Sequence, residues 1–351
     1  MPHFSVPHPR RPQNGLAKQY DTDTEVMRII AAFFVVMIHA SGLGSFSAVV
    51  YNSVARFSVP VFVIISGYYL LTCPPKGTAL GKKGLRLFLL MLLWSAVYYG
   101  YGLYSGSLTF TGARGLFTYL LTEPVHLWYL YAAIALYLFT PLLYIFCEHA
   151  GRRVFLYALT LSFLMGSVVV ILLRSGCFPL LTVIVDRAKL PCTLGFLFLF
   201  LLGGYLRRYG IPSAVHRRVL YLLGLAGVAV TVLCTWTLPA WGLPQDLLLS
   251  FFAPNVLVAS AAFFVFVQQA VRHAHPQAPR VQAILHEMAG CTLGIYLLHP
   301  LLLSVLSSTV EPSLLSASPS LWILQRTVLA YFLAVLLVFV VRRIPGLRRM
   351  V

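Results

Sequence analysis

Residues 25–42 read EVMRIIAAFFVVMIHASG, with Arg28 and His39 separated by the ten apolar residues IIAAFFVVMI. The stretch is long and apolar enough to belong to a membrane-spanning helix, and an ionisable side chain is costly inside hydrocarbon unless it faces a cavity or a partner. Eleven residues of α-helix advance roughly 16 Å and return the side chain to nearly the same face. One face of one helix therefore carries ionisable groups across much of a bilayer. Glu25 precedes Arg28 by three residues, a spacing that allows the two to pair on that face.

The rest of the chain agrees with a membrane setting. Hydrophobic residues make up 59% of the 351 and charged residues only 10%, and the mean hydropathy is +0.85, far from a soluble domain. Apolar runs of spanning length fall near 26–45, 52–72, 86–104, 125–146, 154–173, 191–206, 219–238, 248–271, 288–310 and 320–341. The expected fold is all-α and polytopic, with ten transmembrane helices in one domain over 25–343. It is flanked by a cytoplasmic N-terminal tail, 1–24, and a basic cytoplasmic C-terminal tail, 344–351. The gaps between spans, none beyond about twenty residues, leave no room for an inserted soluble domain.

Charge in the short loops orients the bundle, because Lys and Arg are retained on the cytoplasmic side. With both termini inside, the pairs Lys82 and Lys83, Arg152 and Arg153, Arg207 and Arg208, Arg217 and Arg218, Arg342 and Arg343, and Arg348 and Arg349 are all cytoplasmic. The opposite side then keeps only Arg114, Arg174, Arg187 and Lys189, while Arg28, Arg56 and Arg326 lie in or beside spans. The net charge of +17 is thus spread in pairs at helix ends, where anionic membrane lipid is its partner, and implies no nucleic acid. The Pro-rich, basic start MPHFSVPHPRRPQNGLAKQY has no apolar core and reads as a disordered tail rather than a signal peptide. The six cysteines show no metal-ligand spacing, so no metal is implied. Cys177 and Cys192 share an external loop, where an oxidising compartment would permit a disulfide.

Further polar residues punctuate the spans. The second reads ARFSVPVFVIISGYYLL and brings in Arg56 near the outer surface, followed by Pro60 and the Ser66, Gly67 pair, which interrupt an otherwise apolar helix. Just inside it come Lys82, Lys83 and Arg86, a cluster suited either to phosphates or to positive-inside anchoring. The fourth opens EPVHLWYLYAAIALYLFTPLL, placing Glu123, His126 and Trp128 at the external face, where Trp is commonly an interfacial belt residue. The ninth, CTLGIYLLHPLLL, carries His299 in its outer half with Pro300 directly after it, and the tenth brings in Gln325 and Arg326. Histidines and arginines from distant spans should converge at one depth. Taken singly, each has an ordinary explanation: Arg28 as a snorkelling arginine, and the histidines as helix-packing hydrogen-bond partners.

Taken together, these segments resemble the acyltransferase family 3 membrane acyltransferases, whose first helix carries an Arg, ten residues and a His. Arg28 and His39, the segment VPVFVIISG, the HLW opening and GIYLLH carry the resemblance across the whole membrane domain. Within the family, the chain looks most like the enterobacterial common antigen O-acetyltransferase and related surface-polysaccharide enzymes. It departs in having Glu25 where the family often has Asp.

The resemblance implies O-acylation in a multi-pass cell-membrane protein of bacterial inner- or plasma-membrane type. An acyl group, commonly acetyl, passes from cytoplasmic acyl-CoA to a hydroxyl of an envelope carbohydrate or lipid-linked glycan. A histidine is suited to take the proton from an attacking hydroxyl, which makes His39 the expected base, with an acyl-histidine as an alternative route. Arg28 and the Lys82, Lys83, Arg86 cluster would neutralise the phosphates of the donor, a substrate rather than a bound cofactor. Glu25, Arg56, Ser66, Glu123, His126, Trp128, His299 and Arg326 form the supporting or acceptor-side set. The rival reading is a transporter of a small anionic or carbohydrate substrate. The lack of any Asp or Glu in mid-span weighs against it, since coupled carriers usually relay ions through buried carboxylates.

Overall fold

The computed structural model describes residues 22–75, 77–122, 126–188, 195–274, 278–309 and 318–350. Glu123, Lys189 and Cys192, with the N-terminal tail through residue 21, lie outside them, so the Cys177–Cys192 pairing does too. Among the described residues all regular structure is helical. In chain order the helices are α1 (Thr22–Ser41), α2 (Phe46–Ala55), α3 (Ser58–Leu70), α4 (Gly77–Tyr104), α5 (Gly112–Thr122) and α6 (Trp128–His149). Then come α7 (Arg152–Phe163), continued through a π turn into α8 (Val169–Arg174), α9 (Pro179–Ala188), α10 (Gly195–Arg208) and α11 (Ala214–Thr237). The series closes with α12 (Pro254–His273), α13 (Pro279–Gly290), α14 (Thr292–Thr309) and α15 (Pro319–Arg343).

Nine helical stretches among the described residues are long and apolar enough to cross a membrane. The expected sixth span is the exception. Its described part is α10, from Gly195 onward, and the residues just before it lie outside the described ones. Packing explains what α10 does. A Cβ on Gly67 of α3 would run into the Phe200 carbonyl, and one on Gly203 of α10 into the Ile64 carbonyl. The two backbones therefore lie against each other through facing glycines, as small residues allow between membrane helices. Gly67 is a packing residue, which accounts for half of the Ser66, Gly67 interruption.

The second span breaks earlier than Ser66. Between α2 and α3 the chain turns at Arg56 and Phe57, four and three residues before Pro60. Proline lacks an N–H, and its ring crowds the carbonyl four residues back, here that of Arg56. The sequence thus opens the helix at the one arginine it carries there.

α1 is central: it packs against α2, α3, α12, α13, α14 and α15. Met27, Ala31, Val36 and Ala40 on it are fully or almost fully buried. α4, α6, α7, α11 and α15, by contrast, carry rows of exposed Leu, Val, Ile and Phe, including Leu138, Leu222, Leu225 and Leu336. In water such a belt would aggregate, whereas in lipid it is the outer surface. The C-terminal segment folds back against α4, with the Trp94 indole N–H donating to the Met350 carbonyl at 3.0 Å.

Candidate functional site

α1 stays helical through His39 and ends at Ser41, because Gly42 takes the left-handed conformation (φ 63°) that closes a helix. The end is held by two polar side chains. The Asn52 amide reaches the Ile38 carbonyl (3.1 Å), the Ser41 hydroxyl (3.0 Å) and the Gly42 carbonyl (3.3 Å). Arg326 donates to the Ala40 carbonyl and to the Ser307 hydroxyl, the latter at 3.0 Å. A cation at a helix C-terminus also favours the helix dipole. His39 therefore sits on a clamped turn, one residue from the carbonyl that Arg326 holds.

Ala32 and Val35 lie between Arg28 and His39 on the same face of α1, at positions 4, 7 and 11 from Arg28. Both line a cavity of about 120 Å³, completed by Val59, Phe62, Tyr129, Thr292, Leu293 and Tyr296. A small apolar cavity thus lies beside the part of α1 between Arg28 and His39, and neither of those residues lines it. Toward the start of α1 the Arg28 guanidinium stands 5.9 Å from the centre of the Tyr69 ring and within electrostatic reach of Tyr129 and Tyr137. Ser66 donates to the Phe62 carbonyl at 2.8 Å and meets the Tyr129 phenol on the cavity wall.

Toward the C-terminal end of α1 three histidines meet. The rings of His39 and His299 are 4.9 Å apart and those of His126 and His299 5.9 Å apart, centre to centre. His299 and His126 are buried, whereas His39 is exposed although the turn before it is enclosed. Pro300, with no N–H of its own, leaves the Tyr296 carbonyl without its helical donor. In the same turn the His299 Nδ1 lies 3.1 Å from the Ile295 carbonyl and donates to it. Nδ1 is then the protonated nitrogen and Nε2 carries the lone pair. That Nε2, like the His126 Nε2, is buried without a hydrogen-bond partner among the described residues. Tyr296, three residues before His299, donates to the His126 carbonyl, and the Tyr98 ring stands 4.6 Å from His126.

Arg56 reaches toward the same place from the break in the second span. It lies within electrostatic reach of His39, and its guanidinium sits 5.1 Å from the centre of the Phe251 ring. Trp128 is half-buried and stacks on Phe196, with centroids 5.7 Å apart and planes inclined by 27°.

Two expectations change. Glu25 turns away from Arg28 to His286 of α13, with Oε1 2.7 Å from Nδ1. Among the described residues Arg28 has no carboxylate partner, and α1's other early acid, Asp23, meets Arg272 at 3.6 Å. The pairing expected within one helix loses to contacts between helices because α13 and α12 pack alongside this turn. Lys82, Lys83 and Arg86 are exposed on α4, where Lys82 and Arg86 line a groove of about 650 Å³ with Leu85, Leu89, Leu90, Leu93 and Arg348. That groove shares no lining residue with the Arg28–His39 cavity.

Sequence reasoning passed over a second basic group at the inner end. The Tyr68 hydroxyl receives Arg207 (3.1 Å), Gln268 (3.1 Å) and Arg272 (3.3 Å), one residue from the Tyr69 that lies under Arg28. Both arginines end their helices, so they read as ordinary positive-inside residues. Asn52 and Tyr296 were also passed over, although an amide in an apolar span and a Tyr three residues before a His are visible signals.

In comparison with known proteins, residues 22–343 match the family described as an acyltransferase domain, Acyl_transf_3. No curated protein and no solved structure matches the chain.

Proposed function

The chain belongs to the acyltransferase family 3, and from that premise we propose that it is an O-acyltransferase joining a cytoplasmic donor to an external acceptor. Acyl-CoA, commonly acetyl-CoA, approaches from inside, and a hydroxyl of an envelope carbohydrate receives the acyl group. The orientation is the one that the Lys and Arg pairs favour, with ten spans and both termini inside. Family membership sets the transporter reading aside. The likeness to enterobacterial common antigen O-acetyltransferases makes a surface glycan the acceptor class.

The observation that carries the reading is the meeting of His39, His299 and His126 at one end of α1, with Arg28 toward the other end of the same helix face. A thioester arm is thin and largely uncharged, whereas the nucleotide end of coenzyme A bears several phosphates. A helix face with a cation toward one end, imidazoles toward the other and a small apolar cavity beside it suits such a molecule. Arg28, unpaired with any described carboxylate, offers a planar fork to phosphate oxygens. Lys82, Lys83 and Arg86 add positive charge on the same side.

At the outer end His39 accepts the proton of the attacking hydroxyl as its oxygen bonds to the thioester carbonyl carbon. Collapse of the tetrahedral adduct breaks the C–S bond, and the proton leaves with the thiol, giving ester and free coenzyme A. His299 packs its ring against that of His39, and His126 backs His299, so ring contact rather than a hydrogen bond positions the base. Arg56, within electrostatic reach of His39, is placed to steady negative charge on the adduct. Glu25 and Arg326 fix the two ends of α1.

The test is thiol release from acetyl-CoA, with unacylated surface glycan supplied as acceptor, by protein purified in detergent, where no ion gradient exists. Release by the wild type and its loss in His39→Ala are expected. A wild type that releases no thiol would remove the enzyme reading, and full release by His39→Ala would remove the base.

A further inference from the structure

On the outer face, beyond His39, lies a second cavity of about 420 Å³, within the roughly 300–1,000 Å³ usual for small-molecule sites. It is lined by Arg56, Trp128, Phe196, Asp246, Phe251 and neighbouring residues. Its walls come from four distant parts of the chain: the break between α2 and α3, the start of α6, the start of the described part of α10, and the segment between α11 and α12. That last segment is fixed from below, because the Asn255 amide donates to the Leu248 carbonyl (2.9 Å) and the Thr231 hydroxyl (2.6 Å).

The chemistry of the wall is specific. Trp128 stands 5.7 Å from both Phe196 and Phe251, centre to centre, and Phe252 packs edge-on against Phe196 at 4.6 Å. These rings form an aromatic floor. Beside it are two groups built for hydroxyls. Arg56 has its Nε buried without a hydrogen-bond partner, and Asp246 gives one carboxylate oxygen to Arg174 at 2.8 Å, a bridge that fixes its direction. Asp246 is also within electrostatic reach of Arg56. A buried donor left unpaired is costly and calls for a ligand acceptor.

A sugar ring has an apolar face of C–H bonds, which lies on aromatic rings, and a rim of hydroxyls, which bond at once to carboxylates and guanidinium groups. From these features we infer that this cavity is the acceptor-sugar site. The ring rests on Trp128 and its hydroxyls bond to Arg56 and Asp246, so that one of them is presented to His39. The segment around Asp246 and Phe251 is then the specificity-determining element. The inference rests on the acyltransferase reading, and Arg56 links the two, since it lines this cavity and neighbours His39.

The test uses the full-length protein in detergent and, as probe, surface glycan released from cells lacking the gene, which is unacylated at this enzyme's position. Equilibrium binding of that glycan is measured for wild type, Trp128→Ala and Asp246→Asn, and thiol release from acetyl-CoA is measured for the wild type. Wild type should bind, and each variant should lose at least tenfold in glycan affinity while binding acetyl-CoA as the wild type does. That donor binding also reports that the variants are folded. Wild-type glycan affinity in both variants, an equal loss of acetyl-CoA binding, or no binding by the wild type would each overturn the site. Glycan binding that the variants lose, in a wild type that releases no thiol, would leave the sugar site standing and remove the acyltransferase reading.

Discussion

The two ends of α1 handle polar groups differently, although the Glu25 Oε2 near its start is also buried without a hydrogen-bond partner among the described residues. At the inner end the carboxylates are engaged by other helices: Glu25 by His286 and Asp23 by Arg272, while Tyr68 gathers Arg207, Gln268 and Arg272 on one hydroxyl. At the outer end the His126 Nε2, the His299 Nε2 and the Arg56 Nε are all buried without a hydrogen-bond partner among the described residues. Leaving such a group unpaired in low dielectric costs on the order of 1–3 kcal/mol. The inner end is built for anchoring and charge balance. The outer end holds hydrogen-bonding capacity in reserve, as a site does when a substrate supplies the missing partners.

The largest expected effect breaks the outer end. His39→Ala should lower acyl transfer by roughly 10²–10⁴-fold, the range for a lost general base, while immunoblots of membrane fractions show normal protein levels. His299→Ala should cost less, roughly ten- to a hundredfold in kcat with little change in KM for acetyl-CoA, because it removes the ring that positions His39 and not the base. Equal losses in the two variants would make the histidines a single unit and erase the distinction between base and positioning residue.

The smaller effects sharpen the inner end. Arg28→Lys keeps the charge and loses the planar fork, so KM for acetyl-CoA should rise roughly tenfold, about 1.4 kcal/mol of binding, in steady-state assays. Replacing Lys82, Lys83 and Arg86 together by Gln should raise that KM by a smaller factor and leave kcat nearly unchanged. Unchanged donor dependence in the triple variant would return the α4 groove, with its four leucines, to anionic lipid.

What could be read from the sequence follows from which interactions are local. Arg28 and His39 are legible because helical geometry alone puts residues eleven apart on one face, and the spans are legible because lipid demands long apolar runs. The convergence of His39, His126 and His299 follows from span direction once the spans are counted. The break at Arg56 was within reach, since Pro60 disturbs the carbonyl four residues before it. The partner of Glu25 was not, because His286 lies 261 residues away and only packing brings α13 to α1. Nor was the pairing of α10 with α3, because the glycine contact that joins them is tertiary. Asp246 is the clearest omission, a lone acid in a loop whose meaning depends on Arg56 and Trp128 from far earlier in the chain.

The central claim is that one face of α1 joins a cytoplasmic donor to an external acceptor. Its most direct test traps acetyl-CoA inside sealed vesicles of defined orientation, with the inner face of the protein toward the lumen, and supplies unacylated glycan only outside. Acylated glycan, detected by mass spectrometry, should accumulate outside with the wild type and be absent with His39→Ala. Product formed only when donor and glycan share one compartment, or formed equally by His39→Ala, would contradict the account.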